Sequence, residues 1–102
     1  MSVTVILEVK VAPGQTPKLL SALNKYLPET RRYAGFIDIS VLSEEKTNKL
    51  ILLSKWNAID NYQDYLQWRT DTGVMDILSA MLTAPTSIRF FHTEIDSMRS
   101  TT

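Results

Sequence analysis

Hydrophobic periodicity changes in a fixed order along this chain, and that order is the strongest constraint on what it can fold into. Val3, Val5, Leu7, Val9 and Val11 alternate with Thr4, Ile6, Glu8 and Lys10, the two-residue period of a strand. After the Pro13-Gly14 turn, Thr16 and Pro17 supply an N-cap and a proline at the first helical position. Leu19, Leu20, Leu23 and Leu27 then recur at helical spacing, so a helix is predicted over 17–32. Pro28 removes a backbone donor inside it and predicts a kink or a shortened helix. Gly35 closes this segment, Phe36 to Leu42 reads as a second strand, and the polar run Ser43 to Asn48 joins it to a third, Leu50 to Trp56. A second helix is predicted over 57–72, with Asn57 or Asp60 near its start. Gly73 punctuates it, Val74 to Leu82 continues as a helical stretch before Pro85, and a last strand follows over 88–94.

Strand, helix, strand, strand, helix, strand is the split pattern of a ferredoxin-like α+β fold, an antiparallel sheet with helices on one face. The chain of 102 residues has room for one domain, expected over 1–95, with 96–102 as a polar tail. The sheet's other face must also be accounted for. Ile6, Ile37, Ile39, Val41, Ile51, Leu53 and Phe91 alternate opposite to Val5, Leu7, Phe36, Leu52 and Phe90, so both faces read as apolar. At about 25 cal/mol per Å² of apolar surface, a wet second face forgoes many kcal/mol. A homodimer packed sheet to sheet is the expected remedy.

Charge and composition exclude several functions. Lysine plus arginine and aspartate plus glutamate each number 11, leaving no net field to gather phosphate backbones or an anionic membrane surface. No run approaches the roughly 18 apolar residues of a membrane span. The first residues read as a strand interrupted by Glu8 and not as an export signal, and the chain has no cysteine, which together suit a cytoplasmic protein. With one histidine and no cysteine, no metal site is expected, and no glycine-rich phosphate loop or nucleophile elbow is present.

The strand pattern, the helix ending Glu29-Thr-Arg31-Arg32-Tyr33-Ala-Gly35-Phe36, and a third strand running into Trp56 together resemble the antibiotic biosynthesis monooxygenase family of dimeric α/β-barrel proteins. The resemblance covers Val3 to Glu94, and the segment Tyr62-Gln-Asp-Tyr65-Leu-Gln-Trp68-Arg69-Thr-Asp-Thr-Gly73 resembles a subgroup whose members mostly lack an assigned substrate. What it implies is a cofactor-independent monooxygenase acting with molecular oxygen on a small phenol, quinol or polycyclic aromatic. The family also contains haem-degrading enzymes that use a helix histidine as iron ligand; here the one histidine falls on the last strand, which disfavours haem. Because one fold hosts many reactions, a non-catalytic ligand-binding or interaction module is the alternative, and an isomerase or lactonase-like role a third.

The candidate site residues follow from side-chain chemistry. His92 shares the phase of Ile88 and Phe90, is expected to face inward beneath the helices, and has the one side chain suited to take a phenolic proton near neutral pH. Asp38 and Ser54 are candidates to orient it. Tyr65, Trp68, Arg69 and Thr72 share a helix stripe, with Tyr62 nearby; an aromatic stripe is ordinarily core, yet phenol, indole and guanidinium each need a partner when buried. Arg69 is the candidate for stabilising oxyanion charge, and Trp56, Tyr62, Tyr65 and Trp68 for the aromatic walls. Trp56 also reads as a core anchor. Asn24 and Tyr26 lie on the first helix at a spacing that lets only one point well inward.

Overall fold

A computed structural model describes residues 2–95; the expected tail lies outside them. The elements run β1 (Val3–Lys10), α1 (Thr16–Arg31), β2 (Phe36–Ser43), β3 (Lys49–Trp56), α2 (Ile59–Asp71), α3 (Val74–Ser79) and β4 (Ser87–His92). The strands form one antiparallel sheet in the order β2-β3-β1-β4, with the helical residues packed on one face. This is the ferredoxin-like architecture that the periodicities predict.

Register assigns the faces, because directly paired residues point the same way. Val3, Val5, Leu7 and Val9 pair with Trp56, Ser54, Leu52 and Leu50, and these side chains form the helix-covered face. Two core clusters lie beneath the helices. One is aliphatic, centred on Val9, Val11, Leu19, Leu23, Leu50 and Met81. The other is aromatic, built on Val3, Val5, Trp56 and Tyr62, with Tyr33, Phe36 and Tyr65 against it.

A β-bulge between Phe36 and Asp38 changes the phase of β2. The extra residue lets Phe36 and Ile39 both pair on the helix-covered side, with Trp56 and Ser54, and Val41 follows opposite Leu52. Ile39 and Val41 therefore belong to the covered face and not, as the alternation predicts, to the outer one. Asp38 pairs with Lys55 and Leu42 with Ile51 on the outer face. That face retains Ile6, Ile51, Leu53, Leu42 and Phe91, with Glu8 between Lys49 (3.8 Å) and Arg89 (3.4 Å).

The helix starts also differ from expectation. Thr16 is the first residue of α1, Gln15 holds the capping position, and α2 is preceded by Ala58; neither helix has a side-chain cap. Nor does Pro28 shorten α1, which runs on to Arg31. Its C-terminal turns are held from α2, where Arg69 Nη2 donates to the Tyr26 carbonyl at 2.7 Å and to Thr30 Oγ1 at 3.2 Å. Gly35 sets the junction between α1 and β2. Its φ of 86° is open to glycine, and a Cβ there would collide with the side chain of Asn61 on α2. The Gly35 carbonyl in turn accepts from Asn57 N at 2.8 Å, tying this corner to the end of β3.

Candidate active site

Between the sheet and the helices lies a cavity of about 50 Å³, walled by Leu7, Leu52, Ser54 and Trp56 from the sheet and by residues of α1, α2 and α3. Ordinary small-molecule pockets hold roughly 300–1,000 Å³, so a guest larger than a few heavy atoms requires the helices to part. Its polar groups collect at the aromatic end, from Tyr26 and Thr30 on α1, Ser54 on β3, and Tyr62, Tyr65 and Arg69 on α2. Among the described residues no aspartate, glutamate, histidine or lysine lines it.

Arg69 is 3% exposed and is held from several sides. Nε donates to Tyr65 Oη at 3.1 Å, Nη2 to the Tyr26 carbonyl at 2.7 Å and to Thr30 Oγ1 at 3.2 Å, and Nη1 to Glu29 Oε1 at 3.3 Å. Its guanidinium carbon also sits 4.4 Å from the Trp68 ring centre. A buried cation is tolerable only when paired and hydrogen-bonded, and α1 meets that need almost alone. The arginine is therefore first a clamp between α1 and α2, with its charge retained beside the cavity.

Trp56 is wholly buried, donates from Nε1 to Ser54 Oγ at 3.0 Å, and packs edge-on against Tyr33, Phe36 and Tyr62. It is a core anchor and a cavity wall at once. Tyr62 packs between Trp56 and Phe90, while its hydroxyl takes no part in the Arg69 network. Tyr62 lines the cavity, and among the described residues no fully enclosed side-chain oxygen or nitrogen lacks a hydrogen-bond partner. Burial, and secondarily the neighbouring Tyr65, push its pKa far above the ordinary 10.0. It is a neutral donor at physiological pH and no base.

The structure thus brings Trp56, Tyr62, Tyr65, Arg69 and Ser54 to one cavity. It does not bring the other three candidates there. His92 lies opposite Val3 on the helix side of β4, as its phase predicts, but β4 is an edge strand and the imidazole is exposed there, not covered by a helix. Asp38 is carried by the bulge to the outer face, away from Ser54, where its carboxylate accepts from the Ile39 amide at 2.9 Å. Trp68 stacks on Tyr33 outside the cavity, 5.4 Å between centroids. Thr30, 1% exposed, and the carboxylate of Glu29 are the participants missed from sequence. The one available signal was their place in the helix-end motif, a turn before Tyr33. Among the described residues no group of three potential metal ligands occurs, and no helix is long and apolar enough to cross a membrane.

The family model described as antibiotic biosynthesis monooxygenase matches residues 2–70. No curated protein matches the chain. Among solved structures, SnoaB, a cofactor-independent oxygenase from Streptomyces nogalater, superposes with a TM-score of 0.81 at 19% identity, over 97% of this chain and 98% of its own. A conserved protein from Methanosarcina mazei gives 0.82 at 19% identity, over 92% and 94%. A protein from Mycobacterium tuberculosis gives 0.83 at 14% identity, over 96% and 100%. At such identities these likenesses establish a shared fold and leave the reaction open.

Proposed function

The chain belongs to the antibiotic biosynthesis monooxygenase family, and from that premise we propose that it oxygenates a small, electron-rich phenol or quinol in the cavity between the sheet and the helices, without a cofactor. The observation that carries this reading is Tyr62, a neutral donor outside the Arg69 network that lines the aromatic, polar end of the cavity.

In this reaction the substrate supplies the electrons. A phenolate passes one electron to O2, the resulting radical pair joins at a ring carbon, and the hydroperoxide loses water to leave a new carbonyl. One oxygen atom enters the product, the other leaves as water, and a phenol becomes a quinone with no external reductant. The protein's tasks are then exclusion of water, alignment, and stabilisation of negative charge on the phenolic oxygen. Tyr62 donates to that oxygen. Arg69 contributes through its buried charge and through Tyr65, which it polarises, and Trp56 and Tyr65 form the aromatic walls. With no carboxylate, imidazole or amine among the described lining residues, the phenol gives its proton to solvent before or during entry, and His92 stays outside the chemistry.

Homodimerisation through the outer sheet face, in a cytoplasmic setting, belongs to the same reading. It is supported by Ile6, Ile51, Leu53, Leu42 and Phe91 lying together on that face, Leu42 and Phe91 nearly half exposed. The absence of a base from the lining also favours a second reading, a binding module that holds a phenol without transforming it. Oxygen uptake with a panel of hydroquinones and anthrones, with no metal or flavin added, separates the two. Turnover that Tyr62→Phe slows by roughly tenfold or more supports the monooxygenase; saturable binding without uptake supports the module.

A further inference from the structure

The two core clusters differ in kind, and the space between them is not filled. Leu7 on central strand β1 and Leu52 on β3 pair directly in the middle of the covered face, yet both remain only partly buried, whereas Val5 and Val9 beside Leu7 are buried. A second cavity of about 20 Å³ opens there, enough for roughly one water-sized group. It shares Leu7, Leu23, Leu52, Met75 and Leu78 with the first cavity and continues past them to Val9, Leu19 and Leu82. The two cavities are thus adjoining compartments under α1 and α3. Along β1 the path from the level of Val5, opposite Ser54, to that of Val9, opposite Leu50, is about 13 Å at the usual strand rise.

The lining changes with the path. The Trp56 and Tyr62 end presents aromatic rings and hydroxyls, while the Leu19 and Leu82 end is aliphatic, with Ser79 and Thr86 as its polar neighbours among the described residues. Met75, on the short α3, belongs to the shared wall, and its unbranched thioether can change rotamer to admit a guest. We propose that the substrate is a phenol or quinol bearing an unbranched aliphatic side chain, with the ring against Trp56 and Tyr62 and the chain running beneath Leu23 and Leu78 into the aliphatic compartment. This inference rests on the cavity being the substrate site, and it adds the class of substituent and its direction.

The test is equilibrium binding of 4-alkylphenols, from phenol to 4-hexylphenol, to the full chain by calorimetry. Affinity should rise about three- to fourfold per methylene over the first carbons, the increment for burying each one, and level off when the aliphatic compartment is full. Leu19→Phe and Ser79→Leu each place extra bulk at positions lining only that compartment, and either, verified as folded, should flatten the dependence on chain length. Two variants are used because added bulk at Leu19 can destabilise the core. Phenol binding with no gain from the chain overturns the proposal and leaves the cavity as the ring site. A gain that survives both variants also overturns it, since the chain then lies elsewhere. If no phenol binds the parent, the site reading itself fails and takes this inference with it.

Discussion

Thr30 Oγ1 and Tyr65 Oη lie 2.7 Å apart across the contact between α1 and α2, and Arg69 donates to both, from Nη2 at 3.2 Å and Nε at 3.1 Å. Each hydroxyl thus accepts from the guanidinium and shares one further proton with the other. When Thr30 supplies that proton, the Tyr65 O–H is free to turn elsewhere. The arrangement joins the stability of the helix pair to the donors available at the cavity.

Thr30→Val keeps the shape and removes the hydroxyl, leaving a Tyr65 group and one Arg69 proton without their partner. A loss of about 1–3 kcal/mol is expected in urea denaturation. Arg69→Lys keeps the charge but loses the planar fork, and should cost about 2–4 kcal/mol, since the Tyr26 carbonyl and Thr30 lose charged donors. Losses below about 0.5 kcal/mol in both variants, the level of an ordinary surface change, would mean that the network does not hold the helices together.

Tyr62→Phe removes a hydroxyl outside this network, so stability at pH 7 should change by less than about 1 kcal/mol. The alkaline limb should respond. Because burial raises the folded-state pKa of Tyr62 above its unfolded value of 10.0, its contribution is fully present below that pH and is lost as pH rises beyond it, where the unfolded chain ionises first. The parent should lose stability more steeply than the phenylalanine variant above pH 10, as measured by denaturant midpoints. Parallel curves would show that the Tyr62 hydroxyl is not shielded from water.

The outer sheet face makes a separable prediction. The parent should sediment at micromolar concentration as twice its 11.6 kDa chain mass. Leu53→Asp, on the outer face, should dissociate the dimer by placing an unpaired charge in the interface. Ile39→Asp should instead unfold the chain, because Ile39 borders the cavity beneath the helices. A parent that is a stable, soluble monomer would exclude the dimer.

Element order was legible because periods of two and 3.6 alternate without interruption from Val3 onward, and the inward phase of Val3, Val5, Leu7 and Val9 follows from the strand alone. The bulge at the start of β2 was not legible. Ile37, Ile39 and Val41 alternate without a break, and only the pairing with β3 shows that one residue has been inserted. That single insertion moved Ile39 to the cavity wall and Asp38 out of the site. Exposure of His92 depends on strand order, since an edge position gives the same alternation as a central one. Thr30 escaped notice for a related reason. A threonine in the last turn of a helix reads as neutral until a second helix brings Tyr65 and Arg69 to its hydroxyl.

His92→Gln tests the distinction between phase and location. An exposed imidazole on β4 outside the cavity should leave oxygen-dependent turnover per folded molecule within about twofold of the parent. A loss of roughly 100-fold with the fold intact is the mark of a general base, and would return the histidine to the site through a rearrangement of β4.

In the proposed reaction the cavity at Tyr62 inserts one atom of molecular oxygen into a phenol. This is tested most directly by mass spectrometry of the product formed under ¹⁸O2 from the best substrate in the panel, with the parent and with Tyr62→Phe. One heavy atom is expected in the product and one in the water released, with formation slowed by roughly tenfold or more in the variant. A product carrying no heavy oxygen, or one formed at the parent rate by the variant, would contradict it.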